Sequence, residues 1–273
     1  MPVKAIYNSV ASQYATADCF GSITKSHQIA IQQIKNSSIL EGCSDMNVLD
    51  LGVGDGAFLR KIKNLYPSAT LTGIDISGEM LKQARKDLFL KTIEASAAQA
   101  SQYLPLNSQD LILAHFINAY VPIPILFKQA EMLTRINGHF SMITTTYDSF
   151  PVAQQYLADF ISSESLLSSI VGHYYKAVVK NTTVASGEEE LLQALRKHKF
   201  TILEHHRLRI PVTLNNIDEL ALFGIEGTWF LNSLSIRMLP RKFLLQRIKR
   251  LFNTIFTFPY QDTHVIDIVL AKK

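Results

Sequence analysis

Cysteine is scarce: the 273 residues hold two, Cys19 and Cys43, beside a single tryptophan. Two thiols cannot build a disulfide framework, and no C-x-x-C pair is present to begin a thiolate metal site. A reducing, cytoplasmic setting without a bound metal is therefore expected. No apolar run approaches the ~18 residues a membrane span needs, and Met1-Pro2-Val3-Lys4 does not open a signal peptide. Charge is also modest. Charged residues make up 18% of the chain and the net charge is +4, too little by itself to argue for nucleic acid, which is not expected as a partner. Internal repeats and low-complexity tracts are missing. Apolar residues, in contrast, make up 47%. That suits a globular chain with a real core, of one α/β domain with insertions or one and a half domains.

The chain is organised around Val48-Leu49-Asp50-Leu51-Gly52-Val53-Gly54-Asp55-Gly56-Ala57-Phe58-Leu59. An apolar run ends in an acid, glycines alternate, and an amphipathic pattern follows: a buried strand, a tight turn and a helix start. Gly52 and Gly54 permit backbone angles other residues resist, and the helix N-terminus offers free N–H groups. Leu71-Thr72-Gly73-Ile74-Asp75-Ile76-Ser77 reads as a second strand, with Asp75 placed 23 positions after Gly52. An acid at about that distance is where such folds grip a ribose diol. A plain glycine turn with an acid capping a strand would explain the same residues without a ligand.

Alternation continues downstream. Helix 56–66 stops at Pro67, and Ser77 caps helix 78–88. A short strand covers 91–94, Asp110 to Ala114 form a buried strand, helix 124–135 ends at Asn137-Gly138, and a fifth strand spans His139 to Thr145. Helix 187–198, a strand from Phe200 to Ile210 and a last strand from Thr263 to Ala271 complete a parallel sheet with helices on both faces. His205-His206 do not suggest a metal site, because adjacent strand residues point to opposite faces.

The Asp50-x-Gly52-x-Gly54-x-Gly56 pattern, followed by the Asp75 strand, resembles motif I and the second strand of the class I S-adenosylmethionine-dependent methyltransferases. Ala57 stands where a dinucleotide fingerprint would need its third glycine, which disfavours a nicotinamide-dependent oxidoreductase. The resemblance implies a Rossmann-like α/β fold: a seven-stranded, mostly parallel sheet with an antiparallel last strand and helical lid insertions. It implies S-adenosyl-L-methionine as cofactor. Asp50 and Gly52, Gly54 and Gly56 would orient its methionine portion, Asp75 would hold the ribose, and Ile76 would cover the adenine. The family usually carries an Asp after the third strand; here the alignment gives Ser96, whose hydroxyl or the Ala97 N–H would meet the ring. An N-terminal segment covers the cofactor in small-molecule members, and Tyr7 and Tyr14 sit in a stretch like it, although both would also suit a helix packed on the sheet.

The resemblance divides the chain into a helical cap (1–47), a cofactor-binding core (48–146), a helical lid (147–186), the end of the core sheet (187–210 and 263–273) and a helical insertion (211–262). The loop after the fourth strand, with His115, Asn118 and Tyr120, would face the transferring methyl. His115 is the candidate base for a hydroxyl acceptor, or else a ring that shapes the pocket; Tyr120 is a weaker candidate. Asp218 to Gly227 resembles the matching region of the enzymes that methylate malonyl-acyl carrier protein in biotin synthesis. The expected reaction is methyl transfer to a small-molecule or carrier-bound acceptor, on a carboxylate or hydroxyl of an apolar substrate. A non-catalytic cofactor-binding protein is the alternative. Between Glu226 and Asp262 the insertion has no acid, and 237–256 form a basic amphipathic helix with Arg241, Lys242, Arg247, Lys249 and Arg250. That helix would pack on the core, dock an acidic carrier protein or rest on anionic lipid. Trp229, Phe230, Phe256 and Phe258 would line an apolar surface.

Overall fold

In the computed structural model, residues 3–12, 14, 18–37, 45–163, 165–166, 168–173, 184–226 and 241–273 are described. Cys43, Tyr174-Tyr175, Trp229, Phe230 and Arg237 lie outside the described residues, as do the side chains of Arg241 and Lys242.

Seven strands build one sheet: β1 (Asn47–Leu51), β2 (Thr70–Asp75), β3 (Lys91–Glu94), β4 (Gln109–His115), β5 (Thr134–Thr144), β6 (Thr201–Leu214) and β7 (Tyr260–Lys272). Their order is β3-β2-β1-β4-β5-β7-β6. β1 pairs in parallel with β2 and β4, while β7 runs antiparallel to both β5 and β6. The fold is thus the mostly parallel, seven-stranded α/β sheet with an antiparallel last strand that the motif implied. The order reverses at β1/β4, and a crevice opens outside the carboxyl ends there.

Both faces of the sheet are covered, and β4 shows why its sequence is apolar throughout. Leu111 and Leu113 pack into one core and Ile112 and Ala114 into the other, as the two-residue period of a strand demands. The first core meets α2 (Ser22–Asn36), α3 (Ala57–Leu65) and α4 (Gly78–Ala84). The second meets the 3-10 turn Ala97–Gln102, α5 (Ile123–Leu133) and α7 (Glu188–Lys197). A short α1 (Val3–Val10) lies on α4, with Val10, Ala11 and Met80 packed together. Ser77 caps α4 as expected, its hydroxyl accepting from the Met80 N–H at 3.1 Å.

Three boundaries differ from the sequence reading. α4 ends at Ala84 rather than 88, because Leu88 and Leu90 turn in to join the first core. Asn137-Gly138 does not separate helix from strand. α5 stops at Leu133, the Thr134 hydroxyl donates back to the Ala130 carbonyl at 2.7 Å, and β5 starts at once. Asn137-Gly138 then form an irregular stretch inside β5, tied to Lys273 at the end of β7. Pro211 does not end the sixth strand. β6 is an edge strand, where a missing N–H is tolerated, and it runs on to Leu214 opposite Tyr260.

The segment between β6 and β7 therefore occupies 215–259 rather than 211–262. It contains α8 (Ile217–Ala221), a π turn at Leu222–Glu226 and α9 (Arg241–Ile255). Val212, Leu214, Leu220, Phe223 and Tyr260 form a small core of their own, joined by Phe150, Tyr156, Phe252 and Phe256. α6 (Pro151–Ile161) enters this layer at Asp262, whose carboxylate accepts from the Val152 and Ala153 N–H groups at 3.2 and 2.8 Å. Its missing N-cap is thus supplied from β7. Residues 168–173 are helical as well.

Candidate functional site

The site begins where β1 stops. Gly52 turns with φ of 85°, and the Gly52 and Val53 N–H groups donate to the Ile74 carbonyl at 2.8 and 3.0 Å. A Cβ on Gly52 would stand 2.6 Å from Ile117 Cδ1, the movable end of a side chain, so it is the backbone angle that calls for glycine here. Gly54, at φ of 53°, has nothing within 4 Å of its Cβ position; it faces open space. Gly56 plays another part. It caps α3 and lies against Ala84 of α4, letting two helices approach, and it lines neither cavity described below.

Two adjoining cavities open at this turn. The first, of about 170 Å³, is lined by Asp75, Ile76, Ser96, Ala97, Tyr7 and Tyr120, among others. The second, of about 240 Å³, takes in Asp50, Asp18, Asp55, His27, Phe58 and Lys61. Tyr14, Gly52, Gly54, His115 and Phe116 belong to both. Apart from Gly56 and Asn118, which line neither, every site residue read from the sequence therefore falls on this pair of cavities.

Asp75 ends β2 with its carboxylate facing the glycine turn. Oδ2 accepts from the Gly54 N–H at 3.0 Å and Oδ1 from the Ser77 N–H at 2.8 Å. Burial raises its pKa despite those bonds. Asp50 is more isolated. It is 3% exposed, and its Oδ1 has no hydrogen-bond partner among the described residues. Burial, with the charges of Asp75 and Asp55 added, pushes it up to about 8.

Tyrosines close the first cavity. The Tyr7 and Tyr120 hydroxyls are hydrogen-bonded at 2.9 Å, their rings meet edge to face at 5.6 Å, and Tyr14 lies 6.1 Å from Tyr7. α1 is fastened over this opening by a Lys4–Glu94 ion pair at 2.5 Å and by the Ser77 hydroxyl donating to Asn8 Oδ1 at 2.6 Å. Ser96 caps the 3-10 turn through the Ala98 N–H at 3.3 Å. His115 points into the helix-covered side. Its Nε2 shares a hydrogen bond with Ser141 Oγ at 3.1 Å, its Nδ1 is buried without a described partner, and its ring packs 4.3 Å from Phe58. Burial, then His27, lowers its pKa well below 6.5, so the ring is neutral.

His27, Lys61 and Phe116 were not singled out from the sequence. His27 and Lys61 belong to α2 and α3, and nothing local shows that two helices bring them to one cavity. Phe116 carries a signal only in its backbone, a left-handed φ of 55°, which for a bulky residue is strained. Among the described residues no group of three metal-ligating side chains occurs, and no helix is long and apolar enough to cross a membrane.

This fold and this turn define the class I methyltransferases, and the chain belongs to that family: the family model described as a methyltransferase domain matches residues 43–200, more than half of it. That family is the S-adenosylmethionine-dependent methyltransferases. Among its relatives are two proteins named malonyl-[acyl-carrier protein] O-methyltransferase. The one from Legionella pneumophila is 30% identical over 110 residues, 39% of each chain. The one from Geobacter sulfurreducens is 30% identical over 105 residues, 38% of each. The match spans about two fifths of the length of these relatives. A third of that name, from Priestia megaterium, is 22% identical over 76% of this chain and 74% of its own. In fold the chain is similar to the YcgJ protein of Bacillus subtilis (TM-score 0.57, 13% identity, 92% of this chain and 98% of that one). It is also similar to the cyclopropane synthase MmaA2 of Mycobacterium tuberculosis (TM-score 0.52, 16% identity, 92% and 84%).

The residues present fit the family's cofactor. S-adenosylmethionine carries positive charge at sulfur and at its ammonium, and the second cavity offers a buried carboxyl oxygen with no described partner. A doubly negative dinucleotide pyrophosphate would meet Asp50, Asp55 and Asp75 instead. Gly54 supplies the bare backbone against which a ligand can lie.

Two expected outcomes arise here. A methyl group at position 54 meets no protein atom, so Gly54→Ala should melt within a few degrees of the parent; its left-handed backbone costs about 1–2 kcal/mol. The same methyl enters the cavity, so titration should show S-adenosylhomocysteine binding weakened at least roughly tenfold. The second outcome follows from Asp50. Its raised pKa means the ligand-free fold holds a proton that the unfolded chain has lost. Stability is therefore greatest below the ordinary carboxylate range and is lost as pH rises towards about 8. A cation beside Asp50 expels that proton. Affinity for S-adenosylmethionine should accordingly strengthen from pH 6 to 7.5, and Asp50→Asn should flatten the slope in calorimetric titrations.

Proposed function

We propose that the chain transfers a methyl group to the carboxylate of a small or carrier-linked acid, making an ester. Its relatives' names include a malonyl-carrier acceptor, and the single observation that carries the donor half is the buried Asp50 Oδ1 beside the glycine turn, which has no partner among the described residues. In this reading Asp75 accepts hydrogen bonds from the ribose hydroxyls, Ile76, Ser96 and Ala97 bound the adenine, and Asp50 with Gly52 and Gly54 takes the amino-acid portion. Tyr7, Tyr14 and Tyr120 shut out water. The bound group supplies an activated methyl on a positive sulfur. Alignment of the acceptor and exclusion of water then supply much of the rate. A carboxylate oxygen forms the new O–CH3 bond while the S–CH3 bond breaks and its electron pair returns to sulfur. No proton moves, so no base is needed. A hydroxyl acceptor would need one, and His115 is the candidate, its neutral state correct and its tie to Ser141 an obstacle.

α9 supports a carrier-linked acceptor. Arg247 and Arg250 are exposed on it, Lys249 is paired with Asp218 at 2.6 Å, and Phe252 and Phe256 pack inwards. Methylation of malonyl-acyl carrier protein by purified protein, followed with labelled S-adenosylmethionine, tests the reading. Arg247→Glu with Arg250→Glu should raise the carrier's KM about tenfold and leave S-adenosylhomocysteine binding unchanged. Turnover of several other acids but not this one would move the acceptor elsewhere in the same class; no turnover of any acid would end the ester reading.

A further inference from the structure

The second cavity contains a polar wall that the roles above leave unused. His27, in the second turn of α2, is 7% exposed and lines the cavity. Its ring lies 4.9 Å from Phe58 and 5.6 Å from His115, and it makes no hydrogen bond with a described residue. Burial, then the Lys61 charge, lowers its pKa to about 4. The ring is neutral at pH 7 and can offer an N–H without the cost of stripping water from a charge. Lys61, exposed on α3, reaches the same cavity.

The cavity's acids are otherwise engaged. Asp18 accepts from the Ile23 and Thr24 N–H groups at 3.0 and 2.9 Å, at the start of α2. Asp55 accepts from the Ala57 N–H at 3.0 Å and lies 3.9 Å from Arg60. Asp50 is the group left for a cation. Once a positively charged donor occupies the Asp50 side, the His27 and Lys61 side is where a negative group is best placed.

We infer that the wall formed by His27 and Lys61 receives the carboxylate of the acceptor. This rests on the acid-acceptor reading above, and it assigns the wall to the acceptor rather than to the donor's own carboxylate.

Malonate titrated onto protein saturated with sinefungin, in which a carbon bearing an amine replaces the donor's sulfur and its methyl, tests it. Wild type should bind malonate. Lys61→Met, a change at an exposed residue, and His27→Leu should each weaken malonate at least roughly tenfold, while sinefungin affinity changes less than about twofold. His27→Gln, which keeps an N–H donor, should restore most malonate binding. The inference is overturned if the wild-type complex ignores malonate, or if both variants bind it as wild type does. It is overturned equally if the variants lose sinefungin, since the wall would then serve the donor. Failure of wild type to bind sinefungin would strike the donor reading itself, and this inference with it.

Discussion

Asp75→Ala should leave a folded protein that no longer binds S-adenosylhomocysteine in the micromolar range. In the proposed reading the carboxylate accepts two hydrogen bonds from the ribose diol, and a bond to a charged acceptor contributes about 1.5–3 kcal/mol. Two of them amount to a factor of at least roughly 100 in Kd. The same side chain also fixes the turn. Its oxygens hold the Gly54 and Ser77 N–H groups at 3.0 and 2.8 Å, so alanine loosens the backbone against which the ligand lies. Asp75→Asn separates the two effects: one oxygen still holds a backbone N–H, while the charged bond to the diol is lost. Its affinity should fall between wild type and alanine, and both variants should melt cooperatively. Undiminished binding by Asp75→Ala would remove the ribose assignment.

The largest effect on stability is expected at the opposite side of the sheet. Asp267 is fully buried on β7. It accepts from Arg207 Nε and Nη2, both at 2.9 Å, and its Oδ1 pairs with His205 Nε2 at 2.8 Å. Arg207 Nη1 reaches on to Asp148 at 2.7 Å, just past β5, and to Glu188 at 3.4 Å, at the start of α7. One guanidinium thus ties three parts of the chain together. Asp267→Ala takes from Arg207 its one buried partner, leaving Asp148 and Glu188 at Nη1 alone, and should cost about 3 kcal/mol, or about 10 °C in Tm at ~2–4 °C per kcal/mol. The double variant Arg207→Met with Asp267→Leu should recover much of that loss, because neither charge is then stranded. Burial works to raise the Asp267 pKa, but the hydrogen bonds and charges of His205 and Arg207 hold it below the ordinary carboxylate range. A depressed carboxyl stabilises the fold above its unfolded pKa and loses that contribution as pH falls through its folded one. Wild type should therefore lose stability in acid more steeply than Asp267→Ala. Equal acid melting profiles would place the network outside the stability of the fold.

The donor half of the site was legible because local rules and the ligand's demands coincide there. Gly52 and Gly54 must turn, Asp75 must end a strand, and Ser77 must start a helix; each need leaves its own residue type at its own spacing. Gly56 shows the limit. It belongs to the same glycine pattern, but the structure uses it for the contact with Ala84, and glycine spacing does not distinguish a ligand's approach from a helix's. The acceptor half was much less legible. His27 meets His115 only because α2 crosses the sheet beside α3, and no window of sequence contains both. The Asn137-Gly138 and Pro211 signals were real in chemistry and misleading in place. An irregular strand and an edge strand accommodate them without ending.

The register of β6 and β7 bears on how this protein could have diversified. Leu214 and Tyr260 are paired partners, so the chain leaves the sheet and returns to it at a single rung. Everything between them hangs from one closed doorway. Lengthening or replacing such a segment changes the entropy of closure only logarithmically, by about 0.6 kcal/mol for each doubling. The strands on the donor side need not shift register to accommodate it. Whatever surface that segment presents can thus be exchanged at the doorway, while the glycine turn at the other end of the sheet is inherited unchanged.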